Sequence, residues 1–345
     1  MKFGIFDHID KSNLTLSAQL DDRLEYVKAA EDAGFYSYHV AEHHATPLNL
    51  VPVPGVYLGA VANATSSIRL GPLCYLLPLY SPLRLIEEIS ILDHLSHGRL
   101  DIGVGRGVSP FELNYHKVDP KSSLEIFLES LEAVKYGLTH EVLNHVGKHY
   151  QYKDVPMELR PLQEPHPPIW YPSSNPEVAP IIGENGYNFV TLGAMEQAKK
   201  AIDGYKNGFA KRKGPSGPTL DFSGGTAIGI SRHIVVGETM EDAMRIARPA
   251  YSRWHQSLIK LWVDNKVDGP AFARGTLSDI QTAIDAGTDI VGDPEHVCKE
   301  ITKQVAELGV NFMLCQFYFG DMEHKDAMRS VDLFKTEIMP KVLKI

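Results

Sequence analysis

The sequence has 345 residues, 43% of them hydrophobic and 22% charged, the make-up of a globular protein able to bury a large core. A formal charge of −9, an isoelectric point near 5.9 and the lack of any long basic run exclude the cationic face that nucleic acid requires. The apolar start is broken at Asp7, too early for a signal-peptide core or a membrane helix, which predicts a cytoplasmic protein with no membrane partner.

Short β-rich runs alternate with longer helical patterns along the whole chain. Strands are predicted at 2–7, 36–41, 68–77, 100–104, 168–171, 187–192, 228–236 and 312–319. Helices are predicted at 17–33, closed by Gly34, then at 53–64, 82–95, 122–139 and 195–211; others start at Pro176 and Met240, and a last one runs to Leu343. Such alternation calls for a parallel sheet. Eight units, with no glycine-rich fingerprint in the first, predict an α/β fold of one (β/α)8 TIM barrel domain over residues 1–345 rather than a doubly wound sheet. Three connections exceed a tight turn, at 140–167, 214–225 and 266–292, which puts insertions after strands 4 and 7. The last contains Gly269, Gly275 and Gly287 and predicts a mobile lid over the barrel mouth, with a passive surface insertion as the alternative. It ends at Gly292-Asp293-Pro294-Glu295, where Asp293 is a natural N-cap and Pro294 a first-turn residue.

Chemistry in such a barrel gathers where strands end. Ala41-Glu42-His43-His44 closes the second strand, and imidazole exchanges protons near pH 6.5 without special tuning. Gly103-Val104-Gly105-Arg106-Gly107 closes the fourth. A dinucleotide loop is excluded there because Val108 stands where a third glycine belongs, which leaves an arginine flanked by glycines that suits a phosphate. Ser173-Ser174-Asn175 precede a helix and offer either a second phosphate element or ordinary capping. Lys211-Arg212-Lys213 reads as a solvated helix end. No metal is expected: HxH and HExxH are absent, and neighbours in a strand point to opposite faces. Cys74, Cys298 and Cys315 show no CxxC spacing and read as core thiols in a reducing compartment.

Taken together, the motif at 41–44, Leu92-Asp93-His94-Leu95-Ser96-His97-Gly98-Arg99-Leu100, Gly103 to Gly107, Val291-Gly292-Asp293-Pro294-Glu295 and Met339-Pro340 resemble the bacterial luciferase-like flavin-dependent monooxygenases. The resemblance implies a barrel that binds reduced FMN (FMNH2) from a separate flavin reductase and reacts it with O2. The resulting flavin hydroperoxide would oxygenate a small or medium apolar substrate. It implies His43 as the catalytic acid/base, Arg106 with Ser173 and Ser174 as phosphate contacts, and a cis peptide between Leu73 and Cys74 beside the flavin ring. It also implies a homodimer. Leu124 stands where the family commonly has a second phosphate arginine, which leaves Lys121 as a substitute. Gly105 replaces a cysteine of the light-emitting subunit, which argues against luminescence. Phe6, His8, Leu77, Phe189 and Thr191 are the expected substrate-pocket residues. A deazaflavin-dependent dehydrogenase on the same barrel, a non-catalytic flavin-binding subunit and, more distantly, a metal-dependent hydrolase are the alternatives.

Overall fold

A computed structural model describes residues 1–212, 222, 224–269 and 279–343. The strands up to the first long insertion are β1 (Lys2–Asp7), β2 (Ser37–Val40), β3 (Arg69–Pro72), β4 (Tyr75–Leu76) and β5 (Ile102–Gly105). They are followed by β6 (Val142–Val146), β7 (Gln151–Pro156), β8 (Ile169–Pro172), β9 (Asn188–Thr191), β10 (Ile228–Val236), β11 (Asp289–Gly292) and β12 (Phe312–Gln316).

The parallel staves run β1, β2, β3 with β4, β5, β8, β9, β10, β12 and back to β1, so the eight-stave barrel expected from the sequence is present. β3 and β4 are two halves of one stave. β3 pairs with β2 and β4 with β5, and the bond between them, Leu73–Cys74, is cis as expected. β3 and β5 also touch where only glycine fits: a Cβ at Gly71 would lie 2.1 Å from the Asp101 carbonyl oxygen, and one at Gly103 2.2 Å from that of Pro72.

Strand alternation sorts the side chains into two layers. Phe3 and Ile5 of β1 join the large core between barrel and helices, whereas Phe6 joins Leu73, Trp170, Val190, Phe312 and Leu314 inside the barrel. Phe222 closes this interior at the N-terminal end of the strands, packing edge-on against Trp170 and Phe312. The opposite end stays open.

Two long connections hold structure that the sequence pattern conceals. The insertion at 140–167 carries an antiparallel hairpin, β6 with β7. Its residues are mostly exposed, so no apolar alternation marks it, and it is tied down by Glu129, whose carboxylate accepts from the backbone N–H groups of Lys148, His149 and Tyr150. The lid expected at 266–292 is corrected in part. The helix Ile280–Asp285, capped by Asp279, and the strand β11 occupy its end, while 270–278 lie outside the described residues. β11 exists because β10, nine residues long, outruns β9: β9 pairs with 228–230, and β11 takes up the free edge from His233 to Val236. The connection 214–225 falls largely outside the described residues. Asp293 caps the helix Pro294–Leu308 as expected, its Oδ1 accepting from the His296 N–H at 2.9 Å. No helix among the described residues is long and apolar enough to cross a membrane.

Candidate active site

A cavity of about 1620 Å³ opens at the C-terminal ends of the strands, roofed on one side by Tyr251, Trp254, Leu258 and Leu261 of the helix Met240–Asp264. His43 stands in its wall. The chain leaves β2 at Val40 and is held in a turn by Asn49, whose Nδ2 donates to the Ala41 carbonyl at 2.8 Å. His43 is then met by Glu112, from the helix Pro110–Tyr115, with 3.2 Å between His43 Nδ1 and Glu112 Oε1. The same oxygen accepts the His44 N–H at 2.8 Å. Glu112 is 1% exposed, and an ionised carboxylate only accepts, so the contact favours a proton on Nδ1 and turns Nε2 toward the cavity. Glu112 was missed in the sequence although a signal exists: Ser109-Pro110-Phe111-Glu112 is a capping pattern, and Ser109 Oγ accepts the Glu112 N–H at 3.3 Å.

Glu42 is almost fully buried below this pair. It bonds His44 Nε2 at 2.8 Å and accepts from the Tyr80 hydroxyl at 2.9 Å and the Leu76 N–H at 3.2 Å. Burial raises its pKa, and these contacts oppose the rise. The motif is therefore divided: His43 faces the cavity, and His44 with Glu42 braces the loop.

On the other side of the cavity lie Arg106, Ser173, Ser174 and Tyr171. Arg106 is exposed to the cavity and makes no hydrogen bond or ion pair among the described residues. Tyr171 is pushed up to about 12, chiefly by burial, with Arg106 opposing. Ser173 Oγ accepts from the Asn175 N–H at 3.2 Å and Ser174 Oγ from the Leu192 N–H at 3.2 Å, so both hydroxyls also serve the turn. Leu124 lines the cavity, but Lys121 does not; the lysine that reaches it is Lys135, whose Nζ donates to the Tyr187 hydroxyl at 3.0 Å. Leu73, Cys74 and Gly105 form the floor between the two walls. A Cβ at position 105 would lie 2.3 Å from Cys74 Sγ, which explains the glycine there. Burial pushes the Cys74 thiol up, so it stays protonated.

Of the expected pocket residues, Phe6 and His8 line the cavity. Three others do not. Phe189 points outward and stacks on Tyr205 at 4.9 Å, while its neighbour Val190 faces the interior. Leu77 is buried in the outer core, and Leu76 takes its place in the cavity wall. An offset of one residue reverses the face of a strand, which accounts for Phe189, whereas Leu77 lies past β4 and opens the 3-10 turn Leu77–Leu79, which carries it into the outer core. Thr191 is fully buried behind Ser174, to whose Oγ it donates at 3.3 Å. His233, Asp289 and Gln316, unmarked in the sequence, line the cavity beside His8. Among the described residues no three His, Cys, Asp or Glu side chains are arranged to hold a metal ion.

A family model described as luciferase-like monooxygenase matches residues 1–311. A Sinorhizobium fredii protein designated y4wF is 35% identical over 99% of this chain and 97% of its own. The oxygenase component of a flavin-dependent trigonelline monooxygenase from Acinetobacter baylyi is 29% identical over 70% of this chain and 67% of its own. The oxygenating constituent of 3,6-diketocamphane monooxygenase from Pseudomonas putida, in complex with FMN, has the same fold, with a TM-score of 0.81 over 99% of both chains at 19% identity. So does a coenzyme F420 dependent tetrahydromethanopterin reductase from Methanopyrus kandleri, with a TM-score of 0.71 over 98% of both chains at 18% identity. With its barrel, its mouth and a match across residues 1–311, this chain belongs to the luciferase-like monooxygenase family of enzymes.

Proposed function

We propose that this chain is the oxygenase component of a two-component FMN-dependent monooxygenase, working as one barrel domain over residues 1–345. In this reading a separate reductase supplies reduced FMN, and the substrate is a small or medium organic molecule, largely apolar. One observation carries it: Arg106, without a protein partner among the described residues, shares a cavity with the paired His43 and Glu112. The residues present fit the cofactor. Arg106 suits the phosphate bidentately, with Ser173, Ser174 and Lys135 along the same wall, and Leu73, Cys74 and Gly105 leave a floor for a flat ring system.

Bound there, reduced FMN supplies two electrons to O2, so that one oxygen atom enters the substrate and the other leaves as water. The chain's own part is to hold and to exclude. Arg106 fixes the phosphate end, and Leu48, Trp254, Leu258 and Trp262 keep bulk water from the reacting centre. His43 exchanges a proton at Nε2 while Glu112 holds the proton on Nδ1. The trigonelline relative, an oxygenase component, supports the need for a reductase, and the FMN-bound neighbour supports the cofactor. The F420-dependent neighbour keeps a second reading in view, a deazaflavin dehydrogenase that transfers hydride without O2. For assembly we propose a homodimer through Val56, Ile91 and Leu95, apolar yet exposed on the packed helices Pro54–Ala64 and Pro82–Leu95.

The test is to mix the protein with reduced FMN without oxygen, admit oxygen rapidly and follow absorbance against protein-free FMN. Reoxidation much slower than that of the free flavin supports the oxygenase. Reoxidation equal to that of free flavin, with tight F420 binding, replaces it by the dehydrogenase.

A further inference from the structure

Four polar side chains meet on the cavity wall built by β1, β10, β11 and β12. Gln316 of β12 is the register partner of His233 of β10, and His233 is in turn the register partner of Asp289 of β11, so the three form one row across adjacent strands. His8, just past the end of β1, lies beside them. All four are nearly buried, 3–7% exposed, and all line the cavity. Three of them have an atom without a hydrogen-bond partner, His8 Nδ1, His233 Nε2 and Gln316 Oε1, while Asp289 Oδ1 faces His233 Nδ1. Buried polar atoms are normally paired, so a cluster of three on a cavity wall marks a place where a ligand supplies the missing partners.

We propose that this row is the subsite for the substrate's polar group, and that it selects a hydroxyl carried on an uncharged aromatic skeleton. The proposal rests on the reading that this cavity takes an organic substrate. The carbonyl oxygen of Gln316 and the carboxylate of Asp289 only accept. Asp289 Oδ1 lies 3.2 Å from His233 Nδ1, which favours the proton on that nitrogen and leaves a lone pair on Nε2. Gln316 Nε2 is already committed to Ser231 Oγ at 3.1 Å. At Gln316 and His233 the row therefore presents acceptors, and a ligand group bonded to these two donates.

Charge narrows the choice to a neutral donor. Arg106 and Lys135, the lysine and arginine that line the cavity, stand on the wall of Ser173 and Tyr187, so nothing at the row holds an anion. A cation is also disfavoured, because the buried Arg232 already feels the Asp289 charge and the Thr288 hydroxyl donates to Asp289 Oδ2 at 2.9 Å. His8 remains neutral: burial holds its pKa well below the usual value, the neighbouring His43 and His233 lower it further, and the Gln316 side chain opposes them. Ring faces supply the rest. His233 is wedged against Trp254 and Phe319, each centroid 4.4 Å away, and Phe6 lies 4.9 Å from His8. A flat ring lying against the cavity sides of Phe6 and Trp254 would turn its hydroxyl toward the row.

Equilibrium dialysis of the whole chain, with and without FMN, tests this with 2-naphthol and 2-methoxynaphthalene, which share a ring system but differ in the donor hydrogen. We expect 2-naphthol to bind about tenfold more tightly. In His233→Leu the two compounds should bind within about twofold of each other, with 2-methoxynaphthalene unchanged; Gln316→Met should lose part of the preference and serves if the first variant does not fold. Asp289 acts through His233, so Asp289→Asn should reduce the preference without weakening 2-methoxynaphthalene. Equal binding of the two compounds by the native chain, or equal weakening of both in each variant, overturns the subsite. FMN binding is read in the same dialysis. A retained 2-naphthol preference without FMN binding removes the flavin reading and keeps the subsite, whereas FMN binding without the preference does the reverse.

Discussion

His43 and His233 stand on different walls of one cavity, and each has a ring nitrogen 3.2 Å from a buried carboxylate, Glu112 for the first and Asp289 for the second. The device is the same, but its construction is not. His43 comes from a contiguous motif at a strand end, its partner from a capping pattern soon after Arg106. His233 owes its surroundings to strand register, with Gln316 on one side and Asp289 on the other. One histidine is placed by local sequence and the other by the sheet. Equal chemistry need not leave equal traces in a sequence.

Removing each histidine should separate their two roles by the largest margin. His43→Ala should lower turnover by about 10²–10⁴-fold, the usual worth of a positioned acid or base, with circular dichroism unchanged. His233→Ala should act mainly on KM for a hydroxylated substrate, and steady-state kinetics separate the two outcomes. If both variants lose kcat equally, the division of labour is wrong.

Arg106→Ala should weaken FMN binding by roughly 10–100-fold, because a charge-assisted bidentate contact is lost, and Arg106→Lys should restore only part of it. Fluorescence titration with FMN measures this, and neither histidine variant should change it to that extent.

Next comes the floor beneath both walls. Gly105→Ala places a Cβ against Cys74 Sγ and should destabilise the chain by about 1–3 kcal/mol, read as a fall in denaturant midpoint. The double variant with Cys74→Ala should recover most of that loss.

The smallest effect concerns His8, whose pKa is lowered by burial and then by both histidines. When folded it stays neutral, whereas unfolded it takes a proton below about pH 6.5. The unfolded chain then binds more protons, so this group makes stability fall as pH drops below that value. His8→Asn should flatten the acid limb of stability against pH. Replacing His43 or His233 by glutamine should raise the His8 titration point observed by NMR, in the order His43 before His233.

Much of this molecule is legible without coordinates. The alternation of strands and helices implies eight staves, and the two motifs at the ends of β2 and β5 bring His43 and Arg106 to one mouth because strand ends of a barrel converge. Other features leave no such trace. β11 has four residues and pairs only with the overhang of β10, so its pattern is too short to separate from a loop. The hairpin of β6 and β7 is largely exposed, and only Leu143, Tyr152 and Val155 pack on the core, too few apolar residues to betray it. Phe189 lies on the outer face because an offset of one residue in a strand inverts a side chain, and Leu77 stands in the short 3-10 turn that follows β4, which no apolar period marks.

By itself, then, the sequence determined the barrel, its open end and the local chemistry of His43 and Arg106, because hydrophobic period and short motifs act over a few neighbouring residues. Tertiary structure alone decided that Glu112 would meet His43, that Lys135 rather than Lys121 would reach the cavity, and that His8, His233, Asp289 and Gln316 would share a wall. Those contacts join residues more than three hundred positions apart in the case of His8 and Gln316, and their geometry depends on register and side-chain direction, which only the closed sheet specifies.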